Sequence, residues 1–158
     1  MYKRPLIPGA FVAPARLDGP GFHLRRLGAA DVVKDFAAVM ESEGRLVGFM
    51  DPADTWPTGL TIQENLVDLG WHEREFTLGH SFAYTVMNDA EDRCLGCSYI
   101  YPSDRPGYDA MVFYWVREAE FRAGFDPVLG DALRRWIARD WPLKRVAFPG
   151  RDIAWAEW

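Results

Sequence analysis

Apolar and polar positions change period several times along this chain, and each change marks an element. The run Met111-Val112-Phe113-Tyr114-Trp115-Val116 is short, aromatic and β-branched, with no polar face, which predicts a strand buried on both sides. Residues 82–87 and 95–101 predict two further strands, joined by the polar turn Asn88-Asp89-Ala90-Glu91-Asp92. A second turn over 102–107 leads into the strand 109–116, so the three form an antiparallel meander with 109–116 in the sheet interior. An earlier strand is expected over 22–27 and a later one over 144–148.

Helical spacing fills the gaps. Val32, Val33, Phe36, Val39 and Met40 recur at helical intervals over 30–42, and Gly44 is a natural stop. Thr61 and Glu64 form a capping box ahead of Ile62, Leu66, Val67 and Leu69. A third helix is expected from Pro127, with Asp126 as its N-cap and Leu129, Leu133, Trp136 and Ile137 on its apolar face. Between the first two helices, residues 46–60 carry Gly48, Pro52, Pro57 and Gly59 among Phe49, Met50 and Trp56, a loop with sticky side chains. Strand, two helices, three meandering strands, helix, strand is an α+β order built on a mostly antiparallel sheet.

With 158 residues the chain suffices for one core, here assigned to 22–158 behind an irregular Pro- and Gly-rich arm, 1–21. Hydrophobic content of 49% and seven tryptophans exclude disorder. A net charge of -5 and a pI near 5.2 disfavour nucleic acid as a partner. Prolines interrupt the N-terminus, and no apolar stretch of ~20 residues is present, so no membrane association and a cytoplasmic location are expected. Cys94 and Cys97 have CxxC spacing. On a regular strand a separation of three places them on opposite faces, and His23, His72 and His80 are scattered, so no metal is expected. His72 reads as a helix-end or solvated residue; Trp141, Trp155 and Trp158 read as cover for the core or for a homodimer seam.

A strand that feeds a helix through a tight loop aims backbone N–H groups at one point, where an anion can sit. The segment 109–136 resembles the acyl-CoA-binding core of the GNAT N-acetyltransferase superfamily, and the element order over 22–148 resembles the core of that fold. The resemblance implies a mostly antiparallel mixed sheet with helices on both faces, and C-terminal elements cut short. It implies acetyl-CoA as co-substrate and a small-molecule or peptide amine as acceptor. The family's pyrophosphate loop, Gln/Arg-x-x-Gly-x-Gly/Ala, falls on Phe121, Arg122, Ala123, Gly124, Phe125 and Asp126. Gly124 matches; Phe121 and Asp126 depart from the pattern, and Asp126 adds a negative charge beside the phosphates.

By the same resemblance, backbone N–H groups around Trp115 and Val116 hold the thioester or pantetheine; Arg117 and Arg122 offset the charge of Asp126 if they point into the same mouth. The candidate base is Asp109, near the start of the strand, with Glu118 or Glu64 as substitutes; Tyr114 is the candidate acid, since no tyrosine follows it. Two functions remain open: a GNAT-type N-acetyltransferase, or a non-catalytic module of that fold that has lost cofactor binding and acts through its aromatic cleft or by self-association.

Overall fold

A computed structural model describes residues 4–158; the first three residues of the expected arm lie outside the described residues. The elements are β1 (Arg16–Gly19), β2 (Phe22–Arg26), α1 (Val32–Glu41), α2 (Glu43–Leu46), α3 (Ile62–Leu78), β3 (Phe82–Asn88), β4 (Cys94–Pro102), β5 (Ala110–Val116), α4 (Glu118–Arg122), α5 (Phe125–Asp140) and β6 (Val146–Ala147). The six strands form one sheet in chain order, antiparallel throughout except for the parallel pair β5–β6. Part of the lead-in expected to be irregular is therefore a strand: β1 pairs with β2 across a tight turn.

Strand alternation divides the core into two layers. Leu24, Tyr84, Val86, Ile100, Val112, Tyr114 and Val116 face α5, which buries Leu129, Leu133, Trp136 and Ile137 against them. Ala83, Met87, Cys97, Tyr99, Phe113 and Trp115 face α1 and α3. β5 contributes to both layers, as its uninterrupted apolar run predicts. The helix α5 lies so close to it that a Cβ on Gly130 would come 2.3 Å from the Tyr114 hydroxyl.

Three local expectations change. The connection after β5 holds a short helix, α4. Its first amides are capped from the C-terminal end of α1, Glu118 N–H donating to Ser42 Oγ (2.9 Å), just past that helix, and Ala119 N–H to Glu41 Oε2 (3.2 Å). The N-cap of α5 is Gly124, at φ +84°, and not Asp126. A left-handed residue breaks α4 from α5, and only glycine takes that conformation without strain. Pro127 then sits at the third helical position, still inside the first turn, where no intrahelical N–H is needed.

The third change is in β4. Val86 pairs with Gly96 but Met87 with Cys94, leaving Leu95 as an extra residue in a bulge. The bulge resets the alternation, so Cys94 and Cys97 lie on the same face in one cluster, contrary to the expectation for a regular strand. Gly96 is required there: a Cβ would lie 2.0 Å from the Trp115 carbonyl oxygen. Among the described residues, no helix is long and apolar enough to cross a membrane.

Candidate active site

β6 pairs only with Ala110 and Met111, so beyond that point β5 has a free edge. Backbone groups alternate between the two edges of a strand. The Tyr114 carbonyl on this free edge accepts a hydrogen bond from Arg151 Nη2 at 2.9 Å, and the Val116 carbonyl accepts one from Arg45 Nη2. Val116 thus turns its backbone to the opening, whereas Trp115, one residue earlier, turns its backbone to β4. A cavity of about 200 Å³ lies here, walled by Phe49, Phe113, Gly150, Arg151 and Trp155 among others.

Residues 149–158 fold back across this opening. Trp155 stacks on Phe113 at 6.2 Å with planes 14° apart. Gly150 accommodates it, since a Cβ would approach Trp155 Nε1 to 2.6 Å. The Arg151 guanidinium lies 3.5 Å from the centre of the Tyr114 ring and makes a two-pronged contact with Asp126, at 2.8 and 2.9 Å. Asp126 therefore spends its charge on Arg151 in the first turn of α5.

A second cavity, of about 350 Å³, opens on the α1–α3 side of the sheet, lined by Leu27, Asp35, Met50, Asp54, Trp56, Asn65, Asp68, Leu69, His72 and Tyr99. Asp35 is only 3% exposed. Its carboxylate accepts from Asn65 Nδ2 (2.8 Å) and Cys97 Sγ (3.3 Å). Burial raises its pKa from 3.8 to about 6, an effect that those two hydrogen bonds oppose. Burial also lowers His72 to about 4, so its imidazole is neutral at pH 7. The cavity's back wall is tied to β5 by Trp115 Nε1 donating to the Tyr99 hydroxyl at 3.0 Å. Phe49, which lines the first cavity, stands 5.9 Å from Trp56 of the second and 6.4 Å from Phe113.

No family model and no curated protein matches this sequence. Solved structures match its fold. The ribosomal-protein-S5-alanine acetyltransferase from Vibrio fischeri superposes with a TM-score of 0.67 at 15% identity, covering 88% of this chain and 76% of that one. A Bordetella pertussis protein assigned to the GNAT-family acetyltransferases gives 0.63 at 17% identity, over 84% and 76%. The Mycobacterium smegmatis RimJ in complex with CoA-disulfide gives 0.63 at 13%, over 79% and 60%. The chain has the GNAT fold.

The GNAT plan is a frame for the residues expected from sequence. Tyr114, Trp115, Val116 and Asp126 come together around the opening beside β5. Arg117 lies next to it but is bound to Glu41 (3.0 and 3.2 Å) and to the Cys94 carbonyl. Arg122 projects into solvent and pairs with Glu118. Ala123 and Gly124 form the bend between α4 and α5, and Phe125 packs edge-on against Phe22 at 5.0 Å.

The structure gives the expected acids and bases other tasks. Asp109 accepts the backbone N–H groups of Lys144 (2.7 Å) and Arg145 (2.9 Å), which hold its pKa below the usual carboxylate range. It staples the start of β5 to the approach to β6, some ~20 Å along the strand from Val116. Glu118 is likewise held ionised, by Arg45 first and Arg122 second. The Tyr114 hydroxyl points into the α5 layer and accepts from Arg134 Nη1 at 3.3 Å. Sequence reasoning missed Arg45, Arg151, Asp35 and Asn65. For the last two the signal was present: Asp35 shares a helical stripe with the buried Ala38, Val39 and Ser42, and Asn65 with the buried Leu69.

Proposed function

We propose that this protein is an acyl-CoA-dependent N-acetyltransferase. The observation that carries the reading is the free edge of β5, where the sheet opens beside β6 onto a cavity on the same aromatic wall as the Asp35 cavity. An acyl-CoA supplies an activated acyl carbon at that edge. The backbone N–H groups of Tyr114 and Val116 and the walls Phe49, Phe113 and Trp155 align the acyl group, while Arg45 and Arg151, paired with Glu118 and Asp126, hold the rim of the opening in place. The acceptor amine enters from the α1–α3 side. Asp35, whose pKa near 6 suits a base at neutral pH, takes a proton from the ammonium form, the neutral nitrogen bonds to the acyl carbon, the carbon–sulfur bond breaks, and the second N–H proton goes to the departing CoA thiolate.

A second reading, a GNAT-fold module without catalysis, is favoured by one contact. The Arg151–Asp126 pair and Trp155 lie across the opening beside β5, so the Arg151 guanidinium is already taken and is not free to meet a phosphate. A CoA melt separates the two readings. Coenzyme at ~100 times its dissociation constant stabilises by about 2.7 kcal/mol, a rise of roughly 5–10 °C for a chain of this size. Such a rise, followed by thiol release from acetyl-CoA with a panel of amines, upholds the transferase. No shift at millimolar CoA leaves the module.

A further inference from the structure

The acceptor side of the molecule carries a more specific message. Asp35, at the floor of the 350 Å³ cavity, has two hydrogen-bond partners but no cation beside it, although it is almost completely buried. No lysine or arginine is among the residues lining that cavity. Two further carboxylates, Asp54 and Asp68, stand at its exposed rim. A recess lined by one sign of charge, with low-dielectric walls, concentrates the opposite charge.

The remaining walls fit an organic cation better than a metal ion. Trp56 offers an aromatic face, Tyr99, Met50, Leu27 and Leu69 offer apolar contact, and His72 is neutral and does not repel a positive charge. His72 Nδ1 is also buried without a hydrogen-bond partner. Cys94 and Cys97, which with Asp35 form the one group of metal-type donors among the described residues, lie behind the floor and do not line the cavity. The volume is at the small end of the range for small-molecule sites, too small to enclose a folded protein segment.

We propose that this cavity binds a small primary alkylammonium ion, with its charge at the Asp35 carboxylate, drawn in by Asp68 and Asp54, and its carbon skeleton against Trp56 and Tyr99. This rests on the transferase reading only for the fate of the amine; the binding itself needs no coenzyme.

Isothermal titration of the full chain with n-butylamine hydrochloride at neutral pH, without CoA, tests it against n-butanol, the uncharged analogue of similar size. The amine is expected to bind at least ~10-fold more tightly than the alcohol, because only the amine pairs with a carboxylate. Asp35→Asn is expected to weaken it ~10-fold or more, and Asp68→Asn, at the exposed rim where folding is not at risk, several-fold. Equal affinity for alcohol and amine overturns the proposal, as does amine binding unaffected in both variants, or no saturation by ~10 mM amine. Amine binding in a protein that ignores CoA upholds the cavity assignment while removing the transferase; CoA binding without amine binding does the reverse.

Discussion

Asp35→Asn, followed across pH, tests the central electrostatic claim. Burial lifts the Asp35 carboxyl from 3.8 to about 6, roughly two units, and at ~1.36 kcal/mol per unit ionising it in place costs ~3 kcal/mol. Because the folded-state pKa is raised, the folded protein keeps this proton over a range in which the unfolded chain has released it. The group's contribution is therefore most favourable below its unfolded pKa, and it is lost as pH rises through about 6. Asparagine has nearly the same shape and does not titrate. Urea unfolding of both proteins, monitored by tryptophan fluorescence, should show the variant gaining on the parent by ~2.5 kcal/mol between about pH 4 and pH 8. The new amide also faces the Asn65 donor, but that mismatch is the same at every pH, so the slope carries the test and not the offset. His72, titrating in the same cavity wall, is present in both proteins and cancels. Asp31 and Asp68, whose charges also press on Asp35, are retained in both. A difference that stays flat over the whole range refutes the claim that this carboxylate is held in a low-dielectric site without a cation.

Two further substitutions probe the opening and the sheet. Asp126→Asn removes the anion from the first turn of α5 and frees Arg151 to meet a phosphate. CoA should bind ~10-fold more tightly by calorimetry, at a cost of ~1 kcal/mol in stability for the partly buried ion pair, and an unchanged affinity removes the repulsion argument. Gly96→Ala forces a methyl group against the Trp115 carbonyl at the β4 bulge; a loss of ~3 kcal/mol, or roughly 6–12 °C in Tm, is expected, and a neutral result shows that the bulge can relax.

Much of the scaffold was readable one residue at a time. The meander, the capped start of α3 and the buried β5 follow from local chemistry: alternation, a Thr61–Glu64 box with both hydrogen bonds formed, and an apolar run with no wet face. Inference weakened where a short element or a single backbone torsion decides the path. The α4 turn is stabilised by Glu41 and Ser42, more than seventy positions away in sequence. The start of α5 depends on Gly124 being left-handed, and Asp126 looks like a cap only while Arg151 is out of sight.

The site was less legible than the frame, for the same reason. Helical spacing nominated Val33, Leu66 and Val67 for the core, yet all three are exposed, while Asp35 and Asn65 turn inward and hydrogen-bond to each other. Hydrophobic period identifies an element, but not how it is rotated about its axis; that rotation depends on the shape of the layer it covers. From sequence alone came the order of elements, the α+β class and the resemblance to the GNAT core, because these rest on local periodicity and on chain order. Only the tertiary structure placed Arg151 in the opening beside β5 and a carboxylate without a cation beneath Trp56, because the burial and partners of a charged group depend on chain segments distant in sequence.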